Sequence, residues 1–394
     1  MGWSPSRACW GKNLGKGARV LMVSASFHPA VGGAEKQALE LSIALRRRGS
    51  DVRVLTRRRP GLPRLEEVRG VPVERLWCSG AGPLDSLTFL LSLSWRLLRG
   101  ASGYDVVHVH LAGSPALPAA AAGRLLGKRV LIKLGGGKGI GELAASAQTL
   151  GGRLKLCLLA WLQPQFVAVT GELAGEAERY LGTVSVRFQP NGVDINRYRP
   201  ARAQDKAALR QALGWPAGLC FLYVGRFSAE KRLDAFIDAW RAVEGRAKTG
   251  ACLVLVGEGP ESQRVKDAAA RAPSGRVLVR PAMEDIERAY AAADVFVLPS
   301  VSEGLSNALL EAMASGLAVL ASRVGGASEA VVEGVTGFLF EPLDEEALKA
   351  HLNKLLHHPA LSEKMGQASR RRALERFSIE AVAEAYEGFY EERS

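Results

Sequence analysis

Cysteine is scarce in this 394-residue chain, and the few present show no pattern. Cys9, Cys78, Cys157, Cys220 and Cys252 are odd in number, far apart and without a C-x-x-C pair, which excludes a disulfide framework and a cysteine zinc site. Cys157, Cys220 and Cys252 sit in apolar runs, where cysteine serves as a small core residue, and the chain reads as one kept in a reducing cytosol. Long hydrophobic runs are missing too: nothing approaches the ~20 apolar residues of a spanning helix. Residues 1–17 are polar, Gly-rich and basic, lack the apolar stretch of a secretory signal, and read as a disordered basic tail. No Asp-x-Asp occurs, so no paired carboxylates of that kind call for a metal. Repeats of fixed period and low-complexity arrays are likewise absent from the sequence.

What is present is ordinary globular material, with 47% hydrophobic and 23% charged residues, long enough for two domains of roughly 100–200 residues each. The charge is lopsided. Residues 1–200 carry 28 Lys+Arg against 13 Asp+Glu, a net +15, whereas residues 201–394 carry 24 against 27, a net −3. A basic first half suits an anionic partner such as a membrane surface, a nucleic acid or an acidic substrate. Leu84–Leu98, rich in Leu with Trp95, Arg96 and Arg99 near its end, suits either a membrane interface or a helix buried under a sheet.

Short β-rich runs alternate with helical stretches throughout. Arg19–Ser24, Val52–Thr56, Val106–His110, Val130–Leu134 and Phe166–Thr170 predict one parallel set of strands. A turn cluster at Gln189–Asp194 and Arg199-Pro200 interrupts it, and a helix over Asp205–Leu213 follows. Cys220–Gly225, Cys252–Gly257, Val277–Val279, Val295–Pro299, Ala318–Ala321 and Gly337–Phe340 predict a second set. The fold class is therefore α/β, with two Rossmann-like, doubly wound domains. Ser378–Glu392 closes the chain as an amphipathic helix carrying Tyr386, Phe389 and Tyr390.

Open parallel sheets bind ligands beyond the carboxyl ends of their strands, and three such places carry chemistry here. After the first strand, Gly32 and Gly33 precede a helix and allow close backbone approach. After Cys220–Gly225 come Arg226 and, on the first turn of the next helix, Lys231; a lysine there opposes the helix dipole unless an anion is bound. After Val295–Pro299, residues Gly304, Leu305, Ser306 and Asn307 begin a helix whose free amides suit a phosphate. Glu303 and Glu311 flank that turn, and a carboxylate accepts hydrogen bonds from vicinal hydroxyls.

Glu303-x7-Glu311 followed by Ala-Met-Ala-Ser-Gly resembles the signature of family 4 glycosyltransferases, which are retaining, nucleotide-sugar-dependent enzymes of the GT-B fold. Gly32-Gly33-Ala34-Glu35, Asp105–His110, Pro190–Asp194, Gly225–Lys231, Val256–Pro260 and Val324–Gly326 with Glu329 extend the resemblance over most of the chain. It implies two domains facing across a cleft, an acceptor-side domain over 18–195 completed by a crossover helix at 376–394, and a donor-binding domain over 196–375. It assigns Arg226, Lys231 and the Leu305–Ala308 amides to the donor diphosphate, Glu311 to the ribose and Glu303 to the donor sugar. Gly32 and Gly33 would border the phosphates, and His110 would stand beside the reacting sugar, with His108 structural on the opposite face of the strand. Two segments depart from the family: Lys133-Leu134-Gly135-Gly136-Gly137-Lys138 replaces a Thr-x-His-Gly, and Arg280-Pro281-Ala282 replaces a Phe-x-Gly that helps seat the base.

The expected activity is thus transfer of a sugar from a nucleotide-diphosphate sugar, UDP-linked or GDP-mannose, to a glycan or polyprenyl-diphosphate-linked acceptor in surface polysaccharide or glycolipid assembly. No metal and no cofactor are expected, because arginine and lysine can neutralise the leaving diphosphate. The basic half would hold the enzyme on the cytoplasmic face of an anionic membrane through Arg46–Arg48, Arg57–Arg59 and Leu84–Leu98. The rival readings are a non-catalytic relative that binds a partner protein and a nucleotide-sugar epimerase or hydrolase. No nucleic-acid recognition motif is present.

Overall fold

The computed structural model describes residues 17–392 apart from 31, 81, 137–140, 183, 248 and 273–275. The tail expected at 1–17 lies, save its last residue, outside the described residues.

The first sheet is built from β1 (Arg19–Val23), β2 (Asp51–Arg57), β3 (Leu65–Val68), β4 (Val71–Leu76), β5 (Val106–His110), β6 (Arg129–Leu134), β7 (Gln165–Ala168) and β8 (Val186–Phe188). Its order is β3-β4-β2-β1-β5-β6-β7-β8, parallel throughout except for the antiparallel β3–β4 pair. The second sheet holds β9 (Cys220–Val224), β10 (Cys252–Val256), β11 (Val277–Arg280), β12 (Val295–Leu298), β13 (Ala318–Ser322) and β14 (Gly337–Phe340), all parallel in the order β11-β10-β9-β12-β13-β14. These strands read as nearly unbroken apolar runs because helices bury both sheet faces. In each sheet the order reverses beside the first strand, at β1 and at β9, so the loops after those two strands open into the crevices where such folds bind ligands.

One face of the first sheet is covered by the helix Gly33–Arg47 and by the last helix, Ile379–Glu391, whose Val382, Ala383, Tyr386 and Tyr390 join its core. The chain reaches that position by crossing beside itself. Val193 donates to the Phe377 carbonyl at 2.8 Å, and Ile379 donates to the Val193 carbonyl at 3.0 Å. The terminal helix expected at Ser378–Glu392 is therefore present, and it packs on the first half of the molecule.

The opposite face carries the helices Gly82–Arg99, Ala116–Leu126 and Leu150–Leu162. The first of these bears out the reading of Leu84–Leu98 as a helix buried under a sheet, and it also leaves an apolar outer side exposed. Phe89, Leu93 and Leu97 are fully buried under the sheet, whereas Leu84, Leu87, Leu91, Trp95 and Leu98 face outward, 42–62% exposed. Of the three cysteines read as core residues, Cys220 and Cys252 are buried but Cys157 is exposed. It lies on the outer side of its helix, where an apolar run does not imply burial. Among the described residues no helix is long and apolar enough to cross a membrane.

Candidate active site

The carboxyl ends of the two sheets face each other, and the conspicuous sequence motifs meet there. After β9 the chain passes Gly225 and Arg226 into a single 3-10 turn, Ala229–Lys231, and only then into the helix Leu233–Ala247. Lys231 thus stands on the turn before the helix rather than on its first turn. Its ammonium pairs with Glu303, which also accepts from the Ser300 hydroxyl at 2.9 Å. Arg226 is exposed, its carbonyl held by the Tyr223 hydroxyl at 3.0 Å. An ammonium beside a carboxylate at a switch-point loop, with an exposed guanidinium on the same loop, offers cationic groups that can bond phosphate oxygens.

The helix expected from Gly304 begins later, at Asn307, because Ser306 caps it by accepting from the Leu309 amide at 3.4 Å. Gly304 and Leu305 form the loop ahead of the cap. A Cβ at 304 would collide with the Gly135 carbonyl oxygen and lie 3.1 Å from that of Gly136, so the glycine loop after β6 rests directly on this donor-side loop. Gly325, at φ +48°, passes equally close behind Glu303 and Gly304.

Asn307 joins the first half by donating to the Gly33 carbonyl at 2.8 Å, while Asn191 donates to its side-chain oxygen at 3.1 Å and to the Leu305 carbonyl at 3.0 Å. Gly32 caps their helix and Gly33 opens it, and buried Arg75 steadies the approach to them by donating to the His28 carbonyl at 2.7 Å while paired with Glu66. Glu311, 5% exposed, is engaged from across the cleft. Lys36 Nζ lies 2.6 Å from its Oε1 and 2.9 Å from the Tyr198 hydroxyl. The carboxylate and phenol hold the Lys36 amine well above its ordinary pKa, even though burial acts against it. Lys36 and Asn191 are the two residues that sequence reasoning did not assign. Asn191 lies inside a motif quoted above and Lys36 directly follows one, but nothing in the sequence announces partners 116 and 275 positions away.

His110 ends β5 and is 3% exposed, with Nε2 3.0 Å from Met22 Sδ. His108 does not face the other way. A two-residue step along a strand returns to the same face, and the two imidazoles stack at 4.7 Å. His108 Nδ1 shares a 2.7 Å hydrogen bond with the Tyr390 hydroxyl. Burial, helped by the charge of Lys133, pushes His108 down to about 3 and His110 well below its usual range, so both rings are neutral near pH 7. A neutral imidazole at a strand end can bond a hydroxyl or carbonyl without adding charge. Among the described residues no cluster of three or more His, Cys, Asp or Glu could hold a metal ion.

This architecture is that of known transferases. Residues 31–197 match the model described as Glycosyltransferase Family 4, and residues 205–372 match that of Glycosyl transferases group 1. The chain is 29% identical over 388 residues to the D-inositol 3-phosphate glycosyltransferase of Segniliparus rotundus, covering 90% of this chain and 83% of that protein. It is 26% identical over 386 residues to the N-acetyl-alpha-D-glucosaminyl L-malate synthase of Bacillus anthracis, covering 94% and 96%. In fold it is similar to a sucrose-phosphate synthase from Thermosynechococcus elongatus, with a TM-score of 0.77, 23% identity and 95% and 98% of the two chains covered. HepE of Anabaena, solved with UDP, superposes with a TM-score of 0.75 at 21% identity over 94% and 99%. With both family models matched in order and the two Rossmann-like halves closing on the Glu303–Glu311 segment, the chain belongs to the family 4 glycosyltransferases, enzymes of the GT-B fold that use nucleotide-sugar donors.

Proposed function

We propose that this glycosyltransferase retains anomeric configuration and moves a sugar from a UDP-sugar to a glycan or polyprenyl-diphosphate-linked acceptor in surface polysaccharide or glycolipid assembly; GDP-mannose is the second donor to test. The observation that carries the donor site is the pairing of Lys231 with Glu303 at the start of the Gly304–Asn307 turn, beyond β9 and β12, with Arg226 exposed on the same loop as Lys231. In this reading the donor diphosphate takes the Lys231 ammonium from Glu303. Arg226, Lys231 and the amides from Leu305 to Ala308 then neutralise the charge that develops as the sugar–phosphate bond breaks, with no metal and no cofactor. Glu311 accepts from the ribose, Glu303 turns to the donor sugar, and Gly32–Gly33 lets the backbone approach the phosphates. The acceptor hydroxyl attacks the face the diphosphate leaves, its oxygen bonding the anomeric carbon while its proton passes to the departing phosphate oxygen. Neutral His110 positions the sugar 6-hydroxyl or a donor carbonyl.

The acceptor assignment draws support from the surface of the first half. On the same face of the sheet, beyond the helix Ala116–Leu126, the helix Leu150–Leu162 presents Leu150, Leu154 and Trp161, 62–84% exposed. Arg58 and Arg59 are exposed nearby in sequence, and Arg99 stacks on Trp95 at 4.2 Å. Arg48, Arg57 and Arg96 are instead paired with Glu387, Asp85 and Glu74, so the basic contribution rests on fewer arginines than the triplets suggest. Peripheral attachment to the inner face of an anionic membrane follows, at about 1 kcal/mol for each surface Lys or Arg.

Thermal-shift titration with UDP, GDP, ADP and their sugars tests the donor reading. Selective stabilisation by UDP and a UDP-sugar, lost in Lys231→Ala, is expected. No shift with any nucleotide would refute it and favour a non-catalytic binding role.

A further inference from the structure

Lys133 is the buried cation that the donor reading leaves without a task. It is the second-last residue of β6, 4% exposed, and its register partner is His110 at the end of β5. No hydrogen bond or ion pair reaches it among the described residues. Its neighbours on this face are the neutral imidazoles of His110 and His108, which stack on each other. Burial alone lowers its amine, to about 7, and no carboxylate acts to raise it. An ammonium almost wholly out of water and without a counter-ion is costly, and a stem of this length can be replaced at less cost by an apolar side chain. Two residues further on, Gly135 rests on Gly304 of the donor-side loop, so this end of β6 lies where the two halves meet.

We infer that Lys133 is a specificity residue that receives an anionic substituent of the sugar substrate, a carboxylate, phosphate or sulfonate, at the paired strand ends it shares with His110. This rests on the donor reading. The His110 and Lys133 backbones lie one strand spacing, roughly 4.8 Å, apart, so a group hydrogen-bonded to His110 is within reach of the four-carbon Lys133 stem. A neutral sugar leaves the ammonium unpaired, whereas an anion completes a charge-assisted pair in a water-poor site. The substituent belongs either to the donor sugar or to the acceptor, and the chemistry of recognition is the same.

The experiment follows the Lys133 side chain directly, by NMR of protein labelled with carbon-13 at lysine Cε, in the wild type, Lys133→Met and Lys133→Gln. The Lys133 signal is the one that titrates near neutral pH and vanishes in both variants. The donor arm compares UDP-glucuronate with UDP-glucose; the acceptor arm compares glucose 6-sulfate with glucose at saturating UDP. We expect one charged probe to move the Lys133 titration to higher pH and to bind roughly 10- to 100-fold more tightly than its uncharged counterpart. That preference should vanish in Lys133→Met, while the affinity for UDP itself stays unchanged. The arm that responds identifies the source of the anion. If UDP binds but neither charged probe is preferred, or if the preference survives in both variants, the assignment is overturned and the donor reading stands. If UDP does not bind, the donor reading fails, and glucose 6-sulfate alone decides for Lys133: a moved titration supports the site and an unmoved one overturns it.

Discussion

Replacing Lys36 by Met removes the cation that ties Glu311 to the first half of the molecule. Nζ lies 2.6 Å from the carboxylate, whose side chain is 6% exposed, while the lysine side chain is 33% exposed. Exposed pairs contribute ~0.2–1 kcal/mol, and breaking a buried pair costs ~3–5 kcal/mol. A pair with one partner buried and the other a third in solvent falls between, at about 2 kcal/mol once screening is allowed for. At roughly 2 °C per kcal/mol for a chain of this size, the ligand-free Tm should fall by about 4 °C. The folded-state pKa of Lys36 is raised, so its contribution is fully present below the ordinary lysine value and is lost only as pH rises through the raised one. The deficit should therefore be constant from pH 7 to pH 9. Differential scanning fluorimetry of Lys36→Met, Glu311→Gln and the double variant gives the coupling directly. A Tm change under about 1 °C, or a coupling within the ~0.5 kcal/mol scatter of independent sites, would show that the contact does not hold the halves together.

Further outcomes follow from the same geometry. Gly304→Ala should keep its Tm within about 2 °C yet lose most activity, because the new methyl would meet the Gly135 carbonyl across the junction and push the halves apart; small-angle scattering should show a more open molecule. His108, held at about 3 by burial, refuses a proton that the unfolded chain accepts below about pH 6.5. Stability should therefore fall on acidification from pH 6.5 toward 3, and urea melts of His108→Phe should show a flatter acid limb than the wild type. Vesicles rich in anionic lipid should retain the wild type at low salt and release it at high salt, and the double variant Leu91→Asp, Trp95→Asp should be lost even at low salt.

The strands of both sheet centres were legible because parallel strands buried on two faces are continuous apolar runs, and β5 and β14 fall on the residues expected. The strands that escaped notice are at the edge of the first sheet. β3 is Leu-Glu-Glu-Val and β8 three residues long, both partly exposed, so they lose the apolar signal; β4 is buried, but Pro72 and the ion-paired Glu74 and Arg75 break its apolar run. The site was legible where function concentrates unusual residues after a strand, as at Arg226–Lys231 and Glu303–Glu311. What remained hidden was pairing across the cleft. Lys36 looks like an ordinary charge on an amphipathic helix until the second half supplies Glu311, and Lys133 looks like a snorkelling strand end until the last helix buries its surroundings. The placing of His108 was an error of period, since alternation in a strand joins residues 108 and 110 on one face.

The return of the last helix to the first sheet makes the two halves inseparable as pieces of chain. A protein cut between the halves would leave 18–195 with the His108–His110 layer stripped of Tyr386 and Tyr390, and would leave the remainder ending in a greasy helix with nothing to cover. Any exchange of donor halves between relatives must therefore carry two splice points, one on each side of the Val193–Ser378 crossing, so that the final helix always travels with the first sheet and never with the donor half that precedes it in the chain.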